Sequence, residues 1–434
     1  MNLIRNRSLS KFRVTPLLYR AGKKSVVTVY PMGKLRSFEE GEDYGVTFIP
    51  KELYGFDHYS GKGSFDRLVV KPEGGVLRFE YAFNGEQEWI IIINSEELIR
   101  KKRAQIELHV YSLEEDLYGL TPYVGDLHVH SLGSDGDEDP VMVACNYRKE
   151  GFDFMCLTDH FTRKPSEDLI DSFQGVDLGL KLFHGEEVHT AEGSIHIVNF
   201  GGSFSVNDTL NENLEKLIAK FEKDETLPAG IDPVSFNLRK WIVDEIRRGG
   251  GMAILAHPYW VFRNTYHMSA QTLDYQIENG IYDAFELLGG LGVYENNLQC
   301  AYYDEKRAEG YRIPIVGSSD SHRTDPAGDF GISKTIVFSK DTEFESIKDS
   351  ILNYRSVAIA KPHGESERVF GPYRMVKLAR YLIDFYLPAH DELCVEEGIQ
   401  MREYALGAPG AKEAVEALCA RTEKYTKYLL YAEI

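Results

Sequence analysis

The stretch Tyr123-Val-Gly-Asp-Leu-His-Val-His130 is the most informative in this sequence, because it joins a β-strand pattern to two histidines in alternate positions. Successive side chains of a strand point to opposite faces, so His128 and His130 share one face. Two imidazoles that converge on one point are typical ligands of zinc, iron or manganese. This spacing also occurs by chance, so a structural role stays open at this point. Ser134-Asp-Gly136 follows in a loop, where Asp135 would add a carboxylate.

Downstream of this stretch, short apolar strands alternate with helical segments. The predicted strands are 154–157, 181–183, 195–200, 252–255, 284–287 and 313–316. The predicted helices include 140–150, 210–225, 235–248 and 293–309. Such alternation is typical of βα units that build a parallel sheet or barrel, in which the active site forms at the carboxyl ends of the strands.

Histidines and acidic residues follow several of these strands at their carboxyl ends. They occur in Thr158-Asp-His160, His184-Gly-Glu-Glu187, Ala256-His-Pro258 and Ser318-Ser-Asp-Ser-His322, while His196 lies inside a strand. Buried carboxylates and imidazoles at one end of a barrel lose hydration energy unless cations hold them together. The pattern therefore predicts a metal centre that activates water.

Two regions flank this predicted metal-binding domain. Residues 1–122 contain predicted β-strands at 25–30, 77–83, 88–94 and 104–111. Apolar and polar residues alternate at 77–83 and 104–111, whereas 88–94 is a short buried-type run. With Asn84-Gly85 as a hairpin turn, this region predicts an antiparallel sandwich-like domain. The central domain, 123–360, carries a polar helical insertion at 203–240. Residues 361–434 are predicted to be a helical C-terminal extension, in which Pro388 ends the first helix.

Composition narrows the classes of function. A length of 434 residues exceeds what a single core usually supports, so two or three domains are expected. The net charge of -19 disfavours nucleic acid as a partner, although cations could reverse the field locally for a small phosphorylated substrate. No apolar stretch approaches the ~20 residues that cross a bilayer, so no membrane partner is expected.

The cysteines and the basic start of the chain bear on its compartment. Five cysteines without a CxxC motif favour a reducing cytoplasm. Nine Lys/Arg precede the first acidic residue, Glu39, which is also typical of an organelle transit peptide. The strand pattern at 25–30 favours instead a basic entry into the first domain.

Taken in chain order, these motifs resemble the PHP (polymerase and histidinol phosphatase) superfamily of metal-dependent phosphoesterases over roughly residues 123–340. The matching pieces are Asp126-Leu-His-Val-His-Ser131, Ser134-Asp-Gly136, Thr158-Asp-His160, Gly185-Glu-Glu187, His196 before Phe200-Gly201, Ala256-His-Pro258 and Ser319-Asp-Ser-His322. The β region ahead of Gly125 resembles, more loosely, the carbaryl-hydrolase-like (CehA/McbA-like) metallohydrolase branch. The resemblance implies a distorted (β/α)7 barrel that holds two or three divalent ions of zinc, manganese or iron.

The resemblance also implies a ligand set. One ion would be held by His128, His130, Glu187 and Asp320, a second by Glu187, His196 and His257, and a third by Asp135, His160 and His322. Some relatives have histidine where Asp135 stands. Because Glu186 adjoins Glu187, the bridging role depends on one residue of register, and the spacing Gly-x-Glu favours Glu187. A core histidine is the alternative for His196.

Other residues are predicted to support this set. Asp126 and Asp159 would hydrogen-bond ligand imidazoles, and Arg163 or Arg323 would grip a phosphate unless it forms a surface salt bridge. Asp320, His322 and Arg323 are expected to act directly in catalysis. Glu286 could face the barrel interior; His184 and His189 are expected to be exposed or to support a tautomer. The remaining histidines are predicted to be structural: His58, His109, His267, His363 and His390.

The sequence thus predicts a metal-dependent hydrolase, first of all a phosphoesterase that acts on a small phosphorylated metabolite through a hydroxide bridging two ions. Hydrolysis of carbamates, carboxyl esters or nucleic-acid ends is an alternative, because the same hydroxide attacks carbon. A metal-binding scaffold without catalysis is a second alternative. A homo-oligomer could form through the N-terminal domain or the helical tail.

Overall fold

The computed structural model describes residues 11–33, 37–52, 65–95, 105–190, 195–325, 330–362 and 364–432. The chain divides into two compact units. The first comprises Met1–Leu120, Arg380–His390 and Arg421–Ile434; the second comprises Thr121–Ala379 and Asp391–Ala420. The segment predicted as a C-terminal extension is thus shared between both units, and the domain boundaries stay a prediction. Among the described helices, none combines the length and apolar composition needed to span a bilayer.

The first unit contains two β-sheets. Its strands are β1 (Phe12–Thr15), β2 (Leu18–Arg20), β3 (Lys24–Pro31), β4 (Tyr44–Pro50), β5 (Asp66–Val70), β6 (Leu77–Ala82), β7 (Gln87–Ser95) and β8 (Ile106–Leu113). The sheets have the orders β1-β3-β6 and β2-β8-β7-β4-β5. The ring of Phe48 in one sheet stacks on Tyr81 in the other, with centroids 3.7 Å apart. This aromatic contact joins two sheets, as in a sandwich, but the parallel pairing of β2 with β8 departs from the antiparallel arrangement that was predicted.

The hairpin predicted at Asn84-Gly85 is wrong. The two flanking strands do not pair with each other: β6 pairs with β3, and β7 pairs with β4 and β8. Gly85 has a φ of 72°, so a turn does form, but it carries the chain from one sheet to the other. A turn signal is local, whereas strand pairing is set by which faces are buried.

The second unit alternates strands and helices. Its strands are β9 (Thr121–Val129), β10 (Phe154–Leu157), β11 (Lys181–Phe183), β12 (Gly185–His189), β13 (His196–Phe200), β14 (Met252–Leu255), β15 (Val261–Phe262), β16 (Thr265–Tyr266), β17 (Ala284–Leu288), β18 (Ile315–Gly317), β19 (Ser333–Ser339), β20 (Ser356–Ala360) and β21 (Arg368–Phe370). Its helices are α1 (Pro140–Lys149), α2 (Lys164–Ser172), α3 (Val206–Phe221), α4 (Pro233–Arg248), α5 (Ala270–Glu278), α6 (Val293–Ala308) and α7 (Phe344–Leu352). The predicted strands and helices of this region are therefore confirmed, with ends shifted by a few residues.

Three further helices follow: α8 (Tyr373–Phe385), α9 (Leu387–Ala405) and α10 (Ala411–Tyr431). The first helix ends before Pro388, as predicted, and the predicted apolar positions Met375, Ala379 and Leu382 are buried. Earlier in the chain, side chains that accept a backbone N–H start α1, α3 and α4: Asp139, Ser205 and Asp232. Local capping thus sets where several helices begin.

Two mixed sheets build the framework of the second unit. Their orders are β11-β10-β9-β19-β20-β21 and β12-β13-β14-β17-β18. Parallel bridges join His160 to Glu187 and Val129 to Ser321, so the sheets curl toward each other at the carboxyl ends of their strands. This mixed α/β architecture does not confirm a full (β/α)7 barrel. The chain between β12 and β13 is too short for a crossover helix, so these strands pair antiparallel.

The predicted insertion at 203–240 is helical. Its buried residues Val206, Leu210 and Phe236 belong to the same apolar cluster as Ile197 of β13 and Leu255 of β14. The insertion therefore extends the core behind the strands that end at the predicted metal centre.

Candidate metal centre

The predicted ligands, which are spread over almost two hundred positions, come together in the second unit. His128 and His130 end β9, His160 follows β10, and Glu187 lies in β12. The rest are His196 at the start of β13, His257 after β14, and Asp320 and His322 after β18. Because parallel strands end at one edge of their sheet, residues that directly follow them become neighbours.

Glu187 lies at the centre of this group and is fully buried. Its Oε2 atom is 2.7 Å from His160 Nδ1, 3.4 Å from His128 Nε2 and 3.7 Å from His130 Nε2. Its Oε1 atom is 2.8 Å from His196 Nδ1 and 3.3 Å from His257 Nε2. Five imidazoles therefore surround one carboxylate. Burial alone would raise the pKa of Glu187, but His196 and His128 hold it well below its usual value.

The carboxylate of Asp320 lies beside three of the same imidazoles. Its Oδ1 atom is 3.0 Å from His130 Nε2 and 3.3 Å from His128 Nε2, and its Oδ2 atom is 3.8 Å from His257 Nε2. Burial opposes ionisation, yet His128 and the hydrogen bond from His130 lower the pKa of Asp320 overall. His128 and His257 thus lie between two carboxylates.

Asp135 contacts two further predicted ligands, His160 and His322. Its Oδ1 atom is 3.3 Å from His322 Nε2 and 3.6 Å from His160 Nε2. The side chains of Asp135 and His322 are 57% and 39% exposed. The hydrogen bond with His322 lowers the pKa of Asp135. Although burial opposes it, the Asp135 carboxylate raises the pKa of His322 to about 9.

Several ligand atoms of this cluster lack hydrogen-bond partners among the described residues, and bound cations would provide such partners. Several buried atoms make no well-aligned hydrogen bond within the described ranges: His128 Nε2, His130 Nδ1, His160 Nδ1, Glu187 Oε2 and His257 Nδ1. An unpaired buried polar atom costs about 1–3 kcal/mol, so a cluster of them requires a partner. The atoms form groups within 4.8 Å of one another, such as His128, His130 and Glu187. Mixed imidazole and carboxylate donors suit zinc, manganese or iron.

The register of β12 separates the two neighbouring glutamates. Glu186 points the other way and accepts hydrogen bonds from Asn199, Ser205 and the backbone N–H of Val206 at the start of α3. Its oxygens are satisfied by the fold, whereas Glu187 faces the imidazoles. This placement agrees with the choice of Glu187 over Glu186.

The roles predicted for Asp126 and Asp159 are wrong. The Asp126 carboxylate accepts hydrogen bonds from the backbone N–H groups of His128 and Ser319 and from Tyr147 Oη. Burial raises its pKa to about 6 against these donors. Asp159 accepts from the backbone and hydroxyl of Ser131. Both carboxylates therefore hold the ligand-bearing loops through backbone and hydroxyl groups rather than holding the imidazoles.

Glu286, rather than Asp126 or Asp159, hydrogen-bonds a ligand imidazole. It is fully buried in β17, and its Oε2 atom is 2.9 Å from His128 Nδ1. This contact leaves the Nε2 atom of His128 facing Glu187 and Asp320. A carboxylate on the far nitrogen of a ligand histidine fixes its orientation and raises its basicity.

The two arginines differ. Arg163 is only 8% exposed and pairs with Glu167 of α2. It therefore forms a salt bridge, which was the alternative to phosphate binding. Arg323 stays near the outer ligands because it adjoins His322, and its side chain is 52% exposed beside Asp325. The salt bridge with Asp325 means that the same alternative applies to Arg323, but its greater exposure leaves it the more accessible of the two to an anion.

Backbone strain is concentrated at these loops. Asp320 has a φ of 51° and His257 a φ of 22°, and Phe161, directly after His160, has a φ of 61°. Left-handed conformations of residues other than glycine cost roughly 1–3 kcal/mol each and persist where the surroundings impose them. At three strand ends the fold thus imposes an unfavourable backbone conformation at a predicted ligand or directly after one.

Two histidines outside the predicted ligand set lie beside the ligands: His189, expected to be exposed or to support a tautomer, and His267, expected to be structural. His189 Nε2 is 2.7 Å from His196 Nε2, and the ring of His267 lies 4.5 Å from that of His196. Strand alternation could have revealed His189, because it lies two residues after Glu187. His267 comes from the loop after β16 and gave no signal. His109 pairs with Glu88 in the first unit and His390 is buried, while His58 and His363 lie outside the described residues.

Comparisons with known proteins add the following findings. No family model matches the chain, and no curated protein matches it. Among solved structures, the chain is similar to a two-domain protein from Bacteroides vulgatus that contains a predicted PHP-like metal-dependent phosphoesterase, at 18% identity and a TM-score of 0.43, over 62% of this chain and 71% of that one.

Two further solved structures are similar. One is described as a metal-dependent phosphoesterase from Bifidobacterium adolescentis (16% identity, TM-score 0.35, 49% of this chain and 92% of that one). The other is an amidohydrolase from Chromobacterium violaceum with bound sulfate (16%, 0.31, 45% and 86%). None of these three is described as a carbaryl-hydrolase-like protein, and that assignment stays a prediction. All three TM-scores are below 0.5, so the functional argument rests on the geometry of the site.

Proposed function

We propose that this protein is a metal-dependent hydrolase, and first of all a phosphoesterase that acts on a small phosphorylated substrate. The observation that carries the proposal is the set of five imidazoles around the buried Glu187 carboxylate. Further carboxylates, of Asp320, Glu286 and Asp135, lie against the same rings. Nitrogen and oxygen donors thus converge on a small volume, and such a volume is a site for cations.

The residues divide into groups that would hold the ions. His128, His130 and Glu187 form one group, Glu187, His196 and His257 a second, and His130, Asp135, His160 and His322 a third. Divalent cations bound there would lower the pKa of a water molecule to about 7 and neutralise the oxygens of a phosphoryl group. We propose two or three ions in total, of zinc, manganese or iron.

The chain's own residues would provide orientation and access. Glu286 keeps His128 turned toward Glu187 and Asp320. Asp126 fastens the loop of His128 to the loop of Asp320 through backbone N–H groups. At the outer edge, the exposed Arg323 offers a planar set of donors that matches phosphate oxygens, which supports a phosphorylated substrate over a neutral one.

Metal analysis and turnover assays of two variants test the proposal. The purified chain should bind divalent metal and hydrolyse phosphomonoesters in a panel that also contains phosphodiesters, carboxyl esters and aryl carbamates. His128→Ala and Asp320→Asn should lose bound metal and turnover, whereas His184→Ala, a half-buried histidine outside the ligand groups, should keep both.

Three results would change the proposal. Full activity in metal-free His128→Ala protein would contradict a metal-dependent mechanism. Preferential turnover of carbamates or carboxyl esters would replace the phosphoesterase assignment and keep the hydrolase. Tight metal binding with no turnover anywhere in the panel would favour a scaffold.

A further inference from the structure

His189 occupies a position that strand pairing imposes. β12 and β13 pair antiparallel, and the register places His189 directly opposite His196. The Nε2 atoms of the two rings are 2.7 Å apart, which is hydrogen-bond distance. On the far side, His189 Nδ1 is 3.2 Å from the carbonyl oxygen of Thr190. His189 is thus held at both ring nitrogens.

The chemistry of these contacts determines where the protons lie. A carbonyl oxygen only accepts, so the hydrogen of a neutral His189 is on Nδ1. Its Nε2 atom then accepts, and His196 Nε2 must be the donor. A neutral His196 that carries its hydrogen on Nε2 has its lone pair on Nδ1. That lone pair faces Glu187 Oε1 at 2.8 Å.

At this distance the contact requires a positive charge between the two atoms: a proton on Nδ1 in the metal-free protein, or a divalent cation when the site is loaded. His257 Nε2 adds a third donor 3.3 Å from Glu187 Oε1. We infer that His189 is a positioning residue: it fixes the tautomer of His196 so that Nδ1 is presented to a divalent cation together with Glu187 and His257. The inference rests on the metal centre of the proposed function and names a residue that is not among its predicted ligands.

A direct role of His189 as a ligand is the competing explanation, because its ligand atom lies within 4.8 Å of those of His160 and His196. The hydrogen bonds argue against it. A nitrogen that accepts from His196 at 2.7 Å has its lone pair engaged, and the other nitrogen donates to Thr190. His189 would have to rotate away from both partners before it could bind a cation.

Two substitutions separate these roles. His189→Gln keeps an acceptor oxygen on a side chain of similar reach, so it can still receive the His196 hydrogen, whereas His189→Leu cannot. His184→Leu is the matched control, because it is also a half-buried histidine next to β12 but belongs to no ligand group. Zn²⁺ stoichiometry by elemental analysis, Zn²⁺ affinity by chelator competition and the visible spectrum of the Co²⁺-loaded protein are measured for each.

A positioning role predicts that His189→Leu weakens the affinity of one ion by about 10–100-fold, the usual cost of losing a hydrogen bond to a metal-bound histidine. His189→Gln should recover most of this loss and keep the wild-type Co²⁺ spectrum, and His184→Leu should resemble wild type. The inference is overturned if Gln and Leu variants both lose one ion per chain, which would make His189 a ligand, or if neither changes affinity. A wild-type chain that binds no ion would overturn the proposed function as well, so the two failures are distinguishable.

Discussion

The predicted metal centre has an inner part and an outer part, which differ in burial and in the contacts that support their side chains. The inner part, which comprises His128, Glu187, His196 and His257, is buried, and its side chains are held by Glu286 and His189. The outer part comprises Asp135, His160 and His322. Its central carboxylate, Asp135, is more than half exposed, and it contacts the rings of His322 and His160 and the neighbouring Ser134 hydroxyl.

This difference in burial and support predicts that the two parts bind cations with different affinities. Burial strengthens the attraction between a cation and its ligands, and rigid support removes the cost of ordering them. We therefore expect ions in the inner part to stay bound during purification and an ion in the outer part to exchange readily.

The largest expected effect comes from Glu187→Gln, which removes the charge around which the inner part is built. We expect loss of the bound ions and of turnover, with the fold retained, because neutral imidazoles tolerate an amide neighbour. Elemental analysis, circular dichroism and the phosphoesterase assay measure these quantities.

Glu186→Gln is the matched control, one position away on the same strand. It replaces an acceptor of the backbone N–H at the start of α3, so it should lower the free energy of unfolding by roughly 1–3 kcal/mol while metal content stays unchanged. If Glu186→Gln loses the ions and Glu187→Gln keeps them, the assigned register of β12 is wrong.

An intermediate effect is expected when the outer part alone is changed. Asp135→Asn should lower the number of bound ions by one and leave the inner ions in place, whereas His257→Asn should remove an inner ion. Native mass spectrometry counts the ions in both variants. Loss of every ion from Asp135→Asn would show that the two parts bind as one unit.

The smallest effect concerns the dependence of stability on pH in the metal-free protein. Asp135 raises the pKa of His322 from its ordinary value of 6.5 to about 9. A raised pKa means that this pair stabilises the fold fully below pH 6.5 and loses that contribution as the pH rises through 9. Asp135→Asn should therefore flatten the decline in Tm between pH 7 and 9.5. A variant whose Tm falls as steeply as that of the wild type would contradict the pairing.

Sequence patterns predicted well what local periodicity determines. The strands near 154–157, 181–183 and 252–255 occur as predicted, since short apolar runs followed by histidine or acid have one simple interpretation. The gathering of His128, Glu187 and Asp320 followed from the shared edge of the strands. These inferences needed no knowledge of distant contacts.

Long-range contacts explain what the sequence did not reveal. Asp126 binds the backbone N–H of Ser319, a partner that becomes visible only when two loops meet. Glu286 of one sheet reaches His128 of the other, and the turn at Asn84-Gly85 leads from one sheet of the first unit into the other because burial overrides the local preference. Tautomer support was one of two roles expected of His189 from the sequence, but its partner, His196, is identified only by the register of β12 and β13.

The fastening of the His128 loop to the segment around Ser319 also bears on the order of events during synthesis. A chain emerging from the ribosome displays the ligand histidines His128 and His130 early, but the carboxylate of Asp320 and the backbone N–H of Ser319 arrive much later. Domains usually fold only after the residues of their core have emerged. Cations captured by the early segment would have too few donors, so loading should follow completion of this unit rather than guide its first steps.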